Sequence, residues 1–474
     1  MTRHASDAGP RAPRAKRERT STAAARPFAR KLYAPMILGA ILNPINSSIM
    51  AVALVPIGAA FGAPVSETVW LVSALYLSTA VGQPLVGRLV DMYGPKPLFL
   101  VGASLTIAAG VVGILAPSIW VLVAARVVLG FGTCAGYPSA MSLIRRESQR
   151  TGVDRPAAVL TVLSVSTQTI AVVGPTLGGV LIELGGWRST FAVNIPLGLA
   201  SLLLGLILLP SGRGAEQRAR TRLDLVGVVL FAAMLLALLL FLMNLQWTAL
   251  PLLAVALAVG AGFAFWELRR ADPFIEVRVL AGNAPLLATY GRTLLQYAVS
   301  YSFTYGFTQW MQEDRGLSPA VAGLILLPTF AIGILVATLT GRFAEVRLKL
   351  IVGNAAQIAV CVALLFLTPD SPIWFLAAIT GVLGVPQGLL SLANQNALYR
   401  QAHPARIGAS AGLLRTFMYL GAIVASSATG FLFGARATTD GLHELAIFML
   451  VVACGLMTMI LVDRSLARVG RPAS

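Results

Sequence analysis

The chain has 474 residues, of which 57% are hydrophobic and only 12% charged, with a mean hydropathy of +0.79. Soluble domains carry roughly 25% charge, so this composition excludes an ordinary water-soluble fold and leaves a chain whose solvent is mostly lipid. A formal charge of +17 invites a nucleic-acid reading, but the distribution of the charge argues against it.

Residues 1–31 hold nine Lys/Arg, from Arg3 to Lys31, among Pro, Ala, Ser and Thr. This stretch reads as a disordered basic tail lying against an anionic inner leaflet. The apolar run that follows is too long for a cleavable signal and has no processing site. Lipid cannot satisfy bare backbone groups, so each apolar run of about 20 residues has to be helical. Such runs lie near 33–58, 67–87, 97–116, 118–142, 157–182 and 190–210, then near 225–245 and 249–266. Six more follow near 284–311, 319–340, 350–368, 372–394, 407–433 and 442–462. The expected fold is therefore an all-α integral membrane protein with about fourteen transmembrane helices.

Orientation follows from the basic residues in the connections. The tails and every second connection hold thirty Lys/Arg; the alternate connections hold three, Arg188, Arg315 and Arg436. Both ends are thus expected in the cytoplasm of a bacterial-type cell, with the chain in its inner membrane. A weak repeat divides the chain: Gly87-Arg88-Leu89-Val90-Asp91 after the second span is matched by Gly341-Arg342-Phe343-Ala344-Glu345 after the tenth. The expected layout is a tail at 1–31, a six-helix bundle at 32–211, a linker and two inserted helices at 212–283, a second six-helix bundle at 284–465 and a tail at 466–474. Two helical halves related by pseudo-twofold symmetry around a midplane site is how alternating-access carriers are built.

Several motifs then place the chain in a family. Gly87, Arg88, Asp91, Gly94 and Lys96 form a loop similar to the signature loop between the second and third helices of the major facilitator superfamily. It departs from that pattern at Met92 and Pro95. Arg126-Val127-Val128-Leu129-Gly130-Phe131-Gly132 resembles the buried-arginine motif of its fourth helix. Gly174, Pro175, Gly178 and Gly179 resemble its antiporter motif, and Trp187-Arg188 with Phe191, Asn194, Pro196 and Gly198 resembles the entry to its sixth helix. The resemblance covers the chain after residue 31 and is to the fourteen-helix branch of drug:proton antiporters. It implies transport by alternating access, a proton as coupling partner and a signature loop that latches one end state. One departure matters: Asn46 stands where the branch carries a first-helix aspartate, and an asparagine cannot titrate.

Three arginines, Arg126, Arg292 and Arg415, lie about eight residues inside their spans, roughly 12 Å along a helix. An arginine at the bilayer centre costs at least ~2.5 kcal/mol, so such residues are expected to face a polar cavity. The nineteen acidic residues all fall in tails, loops or helix ends. By the family resemblance the cavity is lined by the first span (Asn43, Asn46), the fourth (Arg126, Tyr137), the ninth (Arg292, Gln296, Tyr297, Tyr301) and the twelfth (Gln387, Asn394). The second (Tyr76, Gln83), fifth (Gln168) and thirteenth (Arg415, Tyr419) spans lie close by. The plainer alternatives are that Arg126 ties helix ends together and that the tyrosines only pack.

Buried cations without a buried carboxylate suit an anionic or polar solute, which arginine grips in a bidentate fashion, and disfavour a lipophilic cation. The resulting expectation is a proton-driven exporter of a small anionic or polar metabolite, working as a monomer. Its alternative is a multidrug:proton antiporter for lipophilic cations; a channel, sensor or intramembrane enzyme is more remote. Gly408-Ala409-Ser410-Ala411-Gly412 fits a nucleophile elbow in letters only, since no strand precedes it. Gly130, Gly132 and Gly136 lack the strand-turn-helix context of a dinucleotide loop. Three scattered cysteines (Cys134, Cys361, Cys454) and three scattered histidines have no metal-ligand spacing. The chain is accordingly expected to be no enzyme, to hold no metal or cofactor and to bind no nucleic acid.

Overall fold

The computed structural model describes residues 29–151, 157–210, 224–244, 246–270, 273–275, 277–279, 282–340, 345–402 and 407–467, and the only regular elements among them are helices. The first half holds α1 (Tyr33–Phe61), α2 (Trp70–Tyr93), α3 (Pro95–Leu115), α4 (Ile119–Thr133, continued by Gly136–Thr151), α5 (Ala157–Gly185) and α6 (Asn194–Leu208). Two further helices follow, α7 (Leu225–Met243) and α8 (Leu250–Arg269). The second half holds α9 (Ala284–Ser302, extended by a π turn at Phe303–Phe307 and by Thr308–Glu313), α10 (Pro319–Thr340), α11 (Val346–Leu364), α12 (Ile373–Gln401), α13 (Ile407–Phe433) and α14 (Thr439–Val462).

Twelve of these helices are long and apolar enough to cross a membrane. The other two, α5 and α9, stand where the fifth and ninth of the fourteen spans are expected, but do not meet that measure over the described residues. α9 is polar because Arg292, Thr293, Gln296 and Ser300 face inward and are buried; α5 contributes the apolar stretch Val173–Gly185.

Packing within the halves is the same pattern written twice. α1 packs on α5 and α6, α2 on α4, and α3 on α4 and α6; eight positions later, α9 packs on α13 and α14, α10 on α12, and α11 on α12 and α14. The seams obey the same rule, since α2 meets α13 and α10 meets α5. This is the pseudo-twofold pair of six-helix bundles.

Hydrogen bonds join the halves at the face opposite the chain ends. Val65 and Ser66 donate backbone N–H groups to the carbonyls of Ala435 and Gly434 at 3.3 and 2.9 Å. Ser318 donates to Glu183 at 3.0 Å, and Ser73 and Ser426 share a bond of 2.6 Å. Of the inserted helices, α8 is peripheral, as a largely lipid-facing helix should be. α7 does more than the sequence implies, because it packs on both α2 and α13 and so covers their seam.

Candidate functional site

Helical spacing builds the centre of the molecule. Tyr297, Tyr301 and Tyr305 recur every four residues on α9, so their rings rise along one face. Ring centroids are 5.7 Å apart for Tyr297–Tyr301 and 5.8 Å for Tyr301–Tyr305, the latter pair nearly parallel at 11°. Across the seam, Tyr76 of α2 lies 5.2 Å from Tyr301 and 5.8 Å from Tyr419 of α13. Tyr305 donates its hydroxyl to the Ser47 carbonyl at 3.3 Å, which leaves its oxygen to accept from Tyr76 at 3.0 Å. Five tyrosines from α2, α9 and α13 thus form one wall joining both halves.

An arginine flanks each end of this wall. Arg126 is buried; its Nε donates to the Leu71 carbonyl at 2.9 Å and its Nη1 to the Asn46 carbonyl at 3.3 Å, while Nη2 has no partner. It therefore ties α4 to α2 and α1, with the phenols of Tyr305 and Tyr76 in electrostatic reach. Arg415 lies with its guanidinium 3.6 Å above the ring of Tyr137 and within electrostatic reach of Tyr419 and Tyr297. Among the described residues it forms no ion pair with a carboxylate.

Arg292 differs, and corrects the expectation of three cations without an acid. It is fully buried, yet its Nη1 forms an ion pair with Asp463, the residue that follows α14. Its Nη2 donates to Thr289, which donates in turn to Gln401. Burial works against the charged form of Asp463, but the Ser465 hydroxyl and Arg292 outweigh it and hold the carboxyl below its ordinary range. Arg292 thus pins α9 to α14 near the chain-end face. An apolar groove of about 610 Å³ between these two helices, bordered by Pro285, Ala288, Met459 and Asp463, opens beside the ion pair and away from the tyrosine wall.

The amides are also committed. Asn46 donates to Asn194 Oδ1 at 2.7 Å and to the Leu42 carbonyl at 2.9 Å, binding α1 to α6. Asn43 donates to Thr133 at 3.1 Å and Thr79 at 3.4 Å. Asn394 donates to Gln296 at 3.0 Å, and Gln296 donates to Ser391 at 3.2 Å, whose hydroxyl also meets Tyr297 at 3.1 Å. Ser391, Asn194 and Asp463 thus support these side chains although spacing alone does not single them out; α12's helical register places Ser391 one turn before Asn394. Gln83 is half-buried, and Gln387 rests its stem near Gly333 of α10. The side chains of Gln168 and Asp91 lie outside the described residues.

The motifs act on the backbone. Gly94 has φ of 91°, a conformation that favours glycine, and turns α2 directly into α3. Lys96 donates to the carbonyls of Leu206 and Leu209 at 2.9 Å each, closing the end of α6. Arg88 donates to the Pro273 carbonyl, and Gly87 stands in open space. On α5, a Cβ at Gly178 would sit 3.1 Å from the α1 backbone at Ile49, and one at Gly179 only 2.4 Å from Ala320 of α10. Gly174 faces Ser48, and Pro175 presents its carbonyl to Gly323. The matching loop of the second half, Gly341–Ala344, lies outside the described residues.

Comparison with known proteins agrees with this architecture. The family model described as Major Facilitator Superfamily matches residues 36–426. The uncharacterized MFS-type transporter YwoD of Bacillus subtilis (strain 168) is 33% identical over 421 residues, covering 87% of this chain and 92% of that protein. The methylenomycin A resistance protein of Streptomyces coelicolor is 28% identical over 431 residues, covering 87% of each. The tetracenomycin C resistance and export protein of Streptomyces glaucescens is 28% identical over 420 residues, covering 84% of this chain and 75% of that one. Among solved structures, a peptide transporter POT in complex with sulfate superposes with a TM-score of 0.66 at 14% identity, over 94% of this chain and 97% of that one. The nucleoside transporter NupG does so with a TM-score of 0.60 at 14% identity, over 91% and 99%. At such identity these two attest the fold alone.

Proposed function

This chain belongs to the major facilitator superfamily; it is a multi-pass membrane transporter and not an enzyme, and on that premise we propose that it exports a small organic molecule with an anionic or polar face. The observation that carries this reading is Arg415: a cation between the halves, paired with an aromatic ring and with no described carboxylate. Its neighbours Tyr137, Tyr297 and Tyr419 offer apolar faces and phenol hydroxyls to the same molecule. An anionic aromatic substrate could replace the Arg415–Tyr137 contact with a charge-assisted bond and stack on Tyr301, exchanging a contact of about 0.5–2 kcal/mol for one of about 1.5–3 kcal/mol.

Export, rather than uptake, is supported by relatives named for antibiotic resistance and export. The proposed cycle is alternating access across the cell membrane, with both chain ends in the cytoplasm and the proton gradient as driver. The halves are closed at the face opposite the chain ends, and opening there requires the Ser73–Ser426 and Glu183–Ser318 bonds to part. A second reading, a multidrug antiporter for lipophilic cations, is favoured by the same tyrosine wall, since ring faces attract cations.

Energised inverted vesicles containing the protein distinguish the two. Accumulation of an anionic aromatic dye, reduced in Arg415→Gln, supports the proposal. Accumulation of a lipophilic cation alone, insensitive to Arg415→Gln, would overturn it in favour of the second reading.

A further inference from the structure

At the chain-end face of the inserted helices, two carboxylates are buried together. Asp224, which precedes α7, accepts the Gly227 N–H at 3.0 Å and the Trp266 indole N–H at 3.0 Å on each oxygen. Glu267 of α8 is 1% exposed; its Oε2 accepts the Ile275 N–H at 3.2 Å, and its Oε1 has no partner. A Cβ at Gly227 would stand 2.3 Å from Glu267 Oε1 and 2.9 Å from Asp224 Oδ2. The missing side chain is what lets the two acids converge, to within about 5 Å of each other.

Two anions so close and so dry repel one another, and each loses its hydration; one proton relieves both costs. We propose that Asp224 and Glu267 form a proton-binding site, with the proton on Glu267 Oε1 and Asp224 ionised. The division follows from the donors, since Asp224 is held by a backbone and an indole N–H and Glu267 Oε1 by nothing.

The surrounding charges tell what this proton controls. From α2, Arg88 of the signature loop donates to the Pro273 carbonyl and lies within electrostatic reach of Glu267. The segment 273–275 therefore holds Arg88 at one end and Glu267 at the other. Just beyond α8, Arg270 stacks on Trp266 at 4.4 Å, and Arg278 donates to the carbonyls of Leu268 and Arg270 at 2.9 and 2.7 Å. From α13, on the other side of α7, the cation is the half-buried Arg415, which faces Tyr137. Asp272 and Glu276 lie outside the described residues. Loss of the proton leaves a second negative charge facing Arg88 and tightens the insert's hold on the end of α2. Gain of the proton loosens it. Because α7 covers the α2–α13 seam, the site is a proton-responsive clamp on the movement of the halves, separate from the tyrosine wall.

Infrared difference spectra of the full chain in detergent, recorded against pH, test this directly. The carbonyl stretch of a buried protonated carboxyl is expected in the wild type and lost in the isosteric Glu267→Gln. In Asp224→Asn the band should persist but vanish at a lower pH than in the wild type, because the repelling charge is gone. A band unchanged in Glu267→Gln, or a titration unmoved by Asp224→Asn, overturns the proposal. As a second readout, Glu267→Gln should flatten the pH profile of dye transport; a profile as steep as the wild type's counts against the clamp.

Discussion

Arg415 holds its charge against an aromatic ring, the contact that the proposal assigns to substrate exchange, whereas Arg292 holds its charge against Asp463. The distinction predicts different failures. Arg292→Gln leaves Asp463 without its cation, and loss of one partner of a buried pair costs on the order of 3 kcal/mol. The expected result is a clear fall in the thermal unfolding midpoint, partly recovered in the double variant Arg292→Gln/Asp463→Asn, as a double-mutant cycle would register. Asn46 makes a second residue-scale case. It donates both amide hydrogens, to Asn194 Oδ1 and to the Leu42 carbonyl; a protonated acid replaces only one of these bonds and a carboxylate neither. Asn46→Asp should therefore be less stable than the wild type, by about 1 kcal/mol, and the deficit should grow as pH rises. Equal stability of the two proteins at high pH would refute the role given to Asn46.

At the scale of helices, the spans are legible because composition alone decides them: runs of about 20 apolar residues have no other stable form in lipid. The motif glycines are legible as close-approach positions, and Gly179 against Ala320 shows why one matters. Gly179→Leu forces α5 and α10 apart at a seam and should cost about 1–3 kcal/mol while lowering transport. A stable, fully active Gly179→Leu protein would mean that this seam does not need the close approach. The partner of Arg292 is not legible, because Asp463 lies 171 residues away just beyond a helix end, where it reads as a tail charge. The tyrosine wall is half legible. Spacing on α9 aligns Tyr297, Tyr301 and Tyr305, and the family resemblance sets Tyr76 and Tyr419 near the cavity, but only the ring contacts across the seam join them to one wall. The role of α7 is hidden for the same reason, since hydropathy marks a span without saying which seam it covers.

For the whole molecule, the proposed alternating access places its motion at the two seams between the halves. Ser73 and Ser426 hydroxyls are 2.6 Å apart across one of them, so the pair Ser73→Cys/Ser426→Cys should cross-link under oxidation. Transport is expected to stop on oxidation and return on reduction; full activity in the cross-linked protein would contradict alternating access about this seam. The central claim is narrower: the site between the halves selects anionic molecules through Arg415. Binding of an anionic aromatic dye and of its neutral isostere to the purified protein tests it most directly. The account predicts that Arg415→Gln weakens the anion about tenfold or more and leaves the neutral compound nearly unchanged. Equal loss for both, or no loss for either, would contradict it.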